Sequence, residues 1–292
     1  MNLLVPTDFS ELSRLALRAA DRWCESFGGV VTPMHAYEPV TDIGGFHFFG
    51  PDSKMSGNLP EVEAAVLRAL SEFVVADLCA ERRGKPLFVF GSPPRAIATA
   101  SLDHDLVVIS SHGRSGLSHF LLGSVTDKAI QLIPSPVLLV HDAPLRAPFK
   151  RVLVPVDLSP GSAEVLPMVK ELAAKSGTEV ELVHVHVCLP GQVTTVGDLE
   201  RKVRDFGATH GLAGANTEVS VLITCGSVQD ALVQYLRQRE AQLVALATVG
   251  DAQSGAQLLG HTPARIAREL RTPLLLVTPA AEQRRKRALL SG

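Results

Sequence analysis

Short apolar runs alternate along this chain with longer segments in which apolar residues recur at helical spacing. The runs are rich in Val, Ile and Leu and show little polar alternation, as is typical of strands in a parallel sheet that is buried on both faces. After the first run, Ser10 precedes apolar residues at Leu12, Leu15, Ala16 and Ala19. This spacing predicts an N-capped amphipathic helix. The alternation as a whole predicts consecutive β-α-β units.

The first half of the chain contains five such predicted strands, with helices between them. The strands lie near Leu3–Pro6, Val30–Ala36, Leu87–Phe90, Leu106–Ser110 and Val137–Val140, and the helices begin near Ser10, Pro60, Pro93 and Ser124. The second half repeats this order, with strands near Val152, Val180, Val219, Leu243 and Leu274. Because β-α-β crossovers are right-handed, we expect an α/β fold with a doubly wound sheet in each half.

The two halves are copies of one unit. The opening "LLVPTDFSELSRLAL" recurs as "VLVPVDLSPGSAEVL", and "MHAYEP" recurs as "VHVHVC". A longer stretch, "DLVVISSHGRSGLSHFLLGSVTDKAIQLIPSPVLLV", matches "QLVALATVGDAQSGAQLLGHTPARIARELRTPLLLV". These matches align Asp8 with Asp157, His35 with His184, Gly113 with Gly250 and Gly123 with Gly260. Such self-similarity predicts a tandem duplication.

We place the domain boundaries at 1–141 and 150–279, joined by a linker over Asp142–Lys150. Residues 280–292 form a basic tail that contains Arg284–Arg287, and we expect it to be a solvated chain end. An uncovered fifth strand would leave an open sheet edge that is prone to unwanted pairing. We therefore expect the fifth strands of the two copies to cover each other within one chain.

Composition excludes several classes of partner. The formal net charge is −2, and no basic face is interleaved with aromatic residues, so nucleic-acid binding is not expected. No apolar run approaches the roughly 20 residues that cross a bilayer, and the N-terminus lacks the features of a signal peptide. We expect a cytoplasmic protein that does not bind membranes. The four cysteines, Cys24, Cys79, Cys188 and Cys225, form no C-x-x-C pair and are interpreted as buried free thiols.

Candidate binding residues follow the predicted strands of copy one. Asp8 comes directly after the first strand, Ala36 ends the second, and Ser110 ends the fourth. Gly123 and Ser124 then open the helix that leads to the fifth strand. In doubly wound sheets, ligands bind beyond the carboxyl ends of the strands. A glycine and a hydroxyl at a helix start favour an anion there.

Both copies resemble the universal stress protein family, whose nucleotide-binding members carry G-x2-G-x9-G-[ST] after the fourth strand. The resemblance rests on "VPTDFS" and "SSHGRSGLSHFLLGSV", and it covers the chain apart from the linker and the tail. It implies two tandem Rossmann-like domains of the adenine nucleotide alpha hydrolase-like type. Each would have a five-stranded parallel sheet flanked by helices, and the two would form a pseudo-twofold pair.

The resemblance also implies a ligand, ATP with Mg²⁺, and a role in stress response. The adenosine side of the site would comprise Pro6, Thr7, Asp8, Ala36 and Ile109. The phosphate side would comprise Gly113, Gly123, Ser124 and Val125. Ser110 stands at the first motif position, and Arg114 adds a positive charge beside the place of the phosphates.

The copies depart from the family motif to different extents. Copy one reads S-x2-G-x9-G-S, with Ser110 in place of the first glycine. Copy two reads A-x2-G-x9-G-H, with Ala247 and His261 at the motif positions and Asp251 where copy one has Arg114. A carboxylate near phosphate is repulsive, and an imidazole would occupy space that the motif needs. We therefore predict one nucleotide per chain, bound in copy one.

Each feature also has a purely structural interpretation. Asp8 and Asp157 could cap the turn or helix that follows them, and the motif glycines could only shape a loop. His35 and His184 are interpreted as structural histidines rather than metal ligands.

Three functions stay open at this stage. The sequence has no Walker lysine and no clear general base, so the chain is expected to be a nucleotide-binding regulatory or sensing module rather than an enzyme. The alternatives are a nucleotide-independent stress-response scaffold and a slow ATP hydrolase. Whether two chains form a homodimer is also left open.

Overall fold

The structure is a computed structural model that describes residues 1–38, 59–111, 122–142, 144–188, 191, 194–214, 216–239, 241–248 and 259–278. Within these residues each half contains five strands, as the sequence predicts. In copy one they are β1 (Asn2–Pro6), β2 (Val30–Tyr37), β3 (Leu87–Phe90), β4 (Leu106–Ser110) and β5 (Val137–Val140). In copy two they are β6 (Arg151–Pro155), β7 (Glu179–Val187), β8 (Thr217–Thr224), β9 (Leu243–Ala247) and β10 (Leu274–Val277).

Helices connect the strands in both copies. Copy one has α1 (Glu11–Phe27), α2 (Leu59–Phe73), α3 (Pro93–Ala100) and α4 (Ser124–Ile130). Copy two has α5 (Pro160–Ala163), α6 (Leu166–Ser176), α7 (Val196–Thr209), α8 (Val228–Gln238) and α9 (His261–Glu269). The helix starts in copy one lie within one residue of the predicted positions. The expected cap of α1 is confirmed, because the Ser10 side chain accepts a hydrogen bond from the Ser13 N–H.

All ten strands lie in one sheet, in the order β3-β2-β1-β4-β5-β10-β9-β6-β7-β8. Strands within a copy are parallel, whereas β5 and β10 pair antiparallel, with Leu138 opposite Leu275. This pairing confirms that the fifth strands cover each other. It also places the carboxyl ends of the two sets of strands at opposite sides of the molecule.

The core continues across the boundary between the copies. One apolar cluster contains Leu138 of β5 and Leu275 of β10, together with residues of α1 and α6. A second cluster, with Leu139 and Leu276, contains residues of α3, α8 and α9. Because neighbouring strand residues face opposite sides of a sheet, these clusters fill its two faces. The copies therefore share their hydrophobic core on both faces.

The linker is part of this core, which the sequence did not predict. Phe149 is 2% exposed and Leu145 is 5% exposed. The Phe149 ring lies 5.9 Å from the ring of Trp23 and 5.8 Å from that of Phe27. The segment that joins the copies is thus anchored against the first helix.

The expectation of four buried cysteines is wrong for three of them. Cys24 is buried, but Cys79, Cys188 and Cys225 are exposed. The latter three lie in turns or directly after strands. Such connecting segments run along the protein surface, so a cysteine there is exposed although its side chain is not strongly polar. None of the helices in the described part of the chain has the length and apolar character that a membrane span requires.

An ion pair in copy one provides a test of the pH dependence of stability. Arg82 donates to both carboxylate oxygens of Asp21, at 2.8 and 2.9 Å, and the Cys79 N–H donates to Asp21 Oδ1 at 2.9 Å. Burial acts to raise the pKa of Asp21, but these hydrogen bonds and the Arg82 charge outweigh it and lower that pKa below 3.8. A lowered carboxyl pKa stabilises the fold above pH 3.8, and this contribution is lost as the pH falls through the folded-state value.

We expect Asp21→Asn to lower the free energy of unfolding by about 1–2 kcal/mol at pH 7, since charged hydrogen bonds are replaced by weaker ones. Urea denaturation across a pH series measures this, and the two stability curves should converge below pH 3.8. Asp103→Asn, at an exposed position, should leave the curve unchanged. An Asp21→Asn variant as stable as wild type at pH 7 would contradict this account.

Candidate functional site

A cavity of about 310 Å³ lies at the carboxyl ends of the copy-one strands. It opens between the turns that follow β1, β2 and β4 and the first turns of α3 and α4. Its lining is mostly apolar, with hydroxyl, carboxylate and imidazole groups among the apolar side chains. The lining residues are Pro6, Thr7, Asp8, Ser13, His35, Ala36, Pro93, Ile97, Ile109, Ser110, Gly123, Ser124, Val125 and Thr126.

The turn from β1 to α1 holds Asp8 at the cavity. Asp8 Oδ1 accepts a hydrogen bond from the Ser10 N–H at 3.1 Å, while Ser10 itself caps α1. Between them, Phe9 has a φ of 63°, which is uncommon for a residue with a Cβ. The Asp8 side chain therefore shapes the turn, and the helix cap is the next serine along.

Buried polar groups beneath the cavity fix this turn to the sheet. The Thr7 N–H donates to the Met34 carbonyl at 2.8 Å, and His35 Nδ1 lies 2.8 Å from the Thr7 carbonyl oxygen. The Thr7 and Ser13 hydroxyl oxygens are 2.6 Å apart. His35 is thus a hydrogen-bonded structural histidine that also lines the cavity. His184 makes the same contact in copy two, with Nδ1 2.9 Å from the Val156 carbonyl oxygen.

The opposite wall is formed where β4 meets α4. The Gly123 N–H donates to the Ser111 carbonyl at 2.7 Å. The buried Thr126 hydroxyl donates to the Ser110 carbonyl at 2.9 Å. These bonds tie the start of α4 to the end of β4. Gly123 occupies the N-cap position of α4, and glycine has no side chain with which to accept the N–H groups of the first turn.

Nine of the eleven predicted site residues line this single cavity: Pro6, Thr7, Asp8, Ala36, Ile109, Ser110, Gly123, Ser124 and Val125. The other two, Gly113 and Arg114, lie outside the described residues. Sequence reasoning missed Ser13, Pro93, Ile97 and Thr126 and assigned His35 only a structural role. Pro93 and Ile97 are four residues apart on one face of a helix, but that pattern alone does not say which cavity the face lines.

Copy two has a corresponding cavity of about 390 Å³. Asp157, Gly260 and His261 line it at positions that align with Asp8, Gly123 and Ser124. His261 lines this cavity without closing it, and that its imidazole takes space needed by a phosphate group stays a prediction. The chemistry still differs, because Ala247 and His261 replace two hydroxyl side chains. Asp251 and Gly250 lie outside the described residues.

Across the described ranges, no three His, Cys, Asp or Glu side chains come together in a group that could hold a metal ion. Among the described residues that line the copy-one cavity, Asp8 supplies the carboxylate group. A magnesium ion at this site would therefore need oxygen ligands from water and from a bound phosphate, which is the usual coordination of Mg²⁺ with nucleotides.

The strand order β3-β2-β1-β4-β5, repeated in copy two, with a cavity beyond the carboxyl ends, defines a pair of doubly wound Rossmann-like domains. The model of the universal stress protein family matches residues 1–141 and 148–278. The chain therefore belongs to the universal stress protein family, whose role is in stress response.

Similar proteins span both copies or one of them. A universal stress protein of Mycolicibacterium smegmatis is 26% identical over 288 residues, covering 95% of this chain and 97% of that protein. One of Thermus aquaticus is 29% identical over 141 residues, covering 48% of this chain and 97% of that protein. The crystal structure of a universal stress protein from Archaeoglobus fulgidus has the same fold, with a TM-score of 0.63, 22% identity, and coverage of 95% of this chain and 98% of that one.

Proposed function

We propose that copy one binds an adenine nucleotide, ATP together with Mg²⁺, and that the chain acts as a ligand-controlled regulatory or sensing module in stress response. The observation that carries this proposal is the single cavity that collects nine residues from four separate parts of copy one. Six of these residues belong to β1, β2 or β4 or directly follow β1, and the other three surround the start of α4. Their convergence is what a built ligand site requires.

The inner part of the cavity suits the adenosine group. Pro6, Ala36, Ile97 and Ile109 offer apolar surfaces for a flat base, and the cavity volume of about 310 Å³ is at the lower end of the range for small-molecule sites. Asp8 lies at its edge with a carboxylate, which is a suitable acceptor for the hydroxyl groups of a ribose. The base would thus be recognised by shape and the sugar by hydrogen bonding.

The outer part suits phosphate groups. Gly123 lets a ligand approach the backbone closely, and Ser124 is an exposed hydroxyl that can donate a hydrogen bond. By their positions in the family motif, Gly113 and Arg114 would also belong to the phosphate side of the proposed site. Mg²⁺ would arrive with the nucleotide, bound through phosphate oxygens and water, and would lower the negative charge that the site must accept.

Hydrolysis would need a general base positioned beside the phosphate. The ionisable groups that line the cavity instead make hydrogen bonds that hold the protein backbone. Asp8 accepts the Ser10 N–H, and His35 contacts the Thr7 carbonyl, so both hold the β1–α1 turn. We therefore propose binding without efficient turnover, with at most a slow ATPase activity. Turnover that disappears in Asp8→Ala would favour the hydrolase instead.

A nucleotide-independent scaffold is the competing function. Copy two favours it, because that half keeps the complete fold and an open cavity while Ala247 and His261 replace the motif residues. Acid precipitation of the purified chain separates the two functions. Released adenine nucleotide supports the sensing module, and a chain that neither carries nor binds nucleotide at millimolar ATP supports the scaffold.

Asp8→Ala is expected to weaken ATP binding about 10- to 100-fold, because a hydrogen bond to a charged group contributes about 1.5–3 kcal/mol. Equilibrium dialysis with labelled ATP and Mg²⁺ measures this. Asp157→Ala is a matched control, since Asp157 Oδ1 accepts the Ser159 N–H in the same turn of copy two. It removes an equivalent structural bond and should leave ATP affinity unchanged. Equal losses in both variants would show that the effect is structural.

A further inference from the structure

Two exposed cysteines lie side by side at the edge of copy two. Cys188 directly follows β7, and Cys225 directly follows β8. The parallel register pairs Val187 with Thr224, so the next position along the two chains brings Cys188 opposite Cys225. Backbone bonding continues there, because the Cys188 N–H donates to the Thr224 carbonyl at 2.8 Å.

Both thiols are on the same face of the sheet. The register also pairs Leu182 with Val219, and both of those side chains pack on the cluster that includes α7 residues. Side chains alternate between the two faces of a strand. Cys188 and Cys225 are an even number of residues after Leu182 and Val219, so they lie on the same face as those two side chains. The Cys225 thiol is also near enough to contribute to the raised pKa of Cys188. Neighbouring strands lie about 4.8 Å apart, and this spacing falls within the Cα separations of about 4.4–6.8 Å that a disulfide spans.

The other two cysteines have different surroundings. Cys24 is buried in copy one, and burial raises the pKa of its thiol to about 11. Cys79 is exposed, and its thiol donates to the Glu81 carboxylate at 2.6 Å. Desolvation and the neighbouring Cys225 thiol raise the pKa of Cys188. We therefore expect the pair to react more slowly than a low-pKa catalytic cysteine.

We propose that Cys188 and Cys225 are a redox-active dithiol that closes to an intrachain disulfide when the protein meets a peroxide. Hydrogen peroxide oxidises one thiol to a sulfenic acid and releases one water. The second thiol then attacks the sulfenic sulfur, so that the S–S bond forms, the S–O bond breaks and a second water leaves. Two thiols are oxidised, and one peroxide is reduced to two waters. A dithiol reductant reverses the step by thiol–disulfide exchange.

This site belongs to copy two alone. The residue before the Gly-Ser turn is Cys225 in copy two and Phe90 in copy one. Ser227 of that turn caps α8, and the next two residues, Val228 and Gln229, line the copy-two cavity. A disulfide would fix this turn to the end of β7. The half with the altered nucleotide motif thus carries a redox site beside its cavity.

Thiol counting and peptide mapping of the full-length chain test the proposal. After reduction, desalting and treatment with hydrogen peroxide, the protein should lose two of its four thiols. Trypsin cuts between the cysteines, so the non-reduced digest should contain residues 176–201 linked to residues 205–237. The link should form in the same yield at tenfold lower protein concentration and should disappear with dithiothreitol.

Cys188→Ser and Cys225→Ser should each reduce the intrachain link at least tenfold, whereas Cys79→Ser, at an exposed cysteine outside the pair, should leave it unchanged. The proposal is overturned if wild type keeps all four thiols under conditions that oxidise glutathione. It is also overturned if the link forms only between chains, or if it joins Cys79. Because this test involves no nucleotide, its result is independent of the proposed ATP site.

Discussion

Replacing Trp23 with alanine is expected to lower the free energy of unfolding by about 3–5 kcal/mol, the range for truncating a large aromatic side chain in a core. Trp23 is fully buried in α1. It packs against Phe27 of its own helix and against Phe149 of the linker. The truncation would therefore leave a cavity where copy one, the linker and the shared core meet. Chemical denaturation followed by circular dichroism measures the loss.

Two variants act as controls for this prediction. Trp23→Phe keeps an aromatic ring and should cost less than the alanine variant. Leu132→Ala removes an apolar side chain that is 45% exposed and should stay within about 0.5 kcal/mol of wild type. A Trp23→Ala protein that loses less than about 1 kcal/mol would show that the aromatic cluster does not hold the linker to copy one.

Gly123→Asp is expected to weaken ATP binding by at least ~100-fold. Gly123 has φ −59° and ψ 145° at the N-cap of α4, a conformation that other residues also adopt. Aspartate is a favoured N-cap residue, so its carboxylate would accept the N–H groups of the first helical turn. The variant should therefore keep its fold. Two like charges about 4 Å apart near a surface repel by about 4 kcal/mol, which screening by salt reduces.

Matched variants separate charge from volume and copy one from copy two. Gly123→Asn adds nearly the same volume without a charge and should have a smaller effect than Gly123→Asp. Gly260→Asp makes the same change at the start of α9, and ATP affinity should stay as in wild type. A Cβ at Gly260 would lie 3.2 Å from the Thr248 carbonyl oxygen, so the thermal stability of this variant is measured in parallel. Loss of binding in Gly260→Asp alone would place the site in copy two.

The sequence was sufficient to predict the strands and their pairing across the copies. The strands are buried on both faces, so each is a short apolar run with clear limits, and three of the copy-one strands match the prediction residue for residue. Pairing of β5 with β10 followed from the need to cover an open edge. Because the second copy repeats the same order of strands and helices, the two copies could be aligned, which paired Asp8 with Asp157 and Gly123 with Gly260.

Features that depend on contacts between distant segments were not predictable in the same way. Cys188 and Cys225 are far apart in the sequence, and only the register of β7 and β8 brings them together. Phe149 lies between prolines and charged residues, a composition typical of an exposed linker, but it packs on Trp23. His261 was expected to take space that the phosphate motif needs, but the sequence did not show that the copy-two cavity, which His261 lines, would stay open.

The two copies differ more in the side chains that line their cavities than in the volumes of those cavities. Both cavities are open and of similar volume, and both first turns have an aspartate held by the N–H two residues later. What differs is the side that we propose to hold phosphate, where copy one has Ser110 and Ser124 and copy two has Ala247 and His261. Binding in copy one alone would show that these side chains, and not cavity size, decide which half receives the nucleotide.

Calorimetric titration of the full-length chain with ATP and Mg²⁺ tests the central claim most directly, because it gives the number of nucleotides bound per chain. We predict a stoichiometry of one, in the wild type and in Asp157→Ala alike. A stoichiometry of two, or no binding at millimolar ATP, would contradict the account.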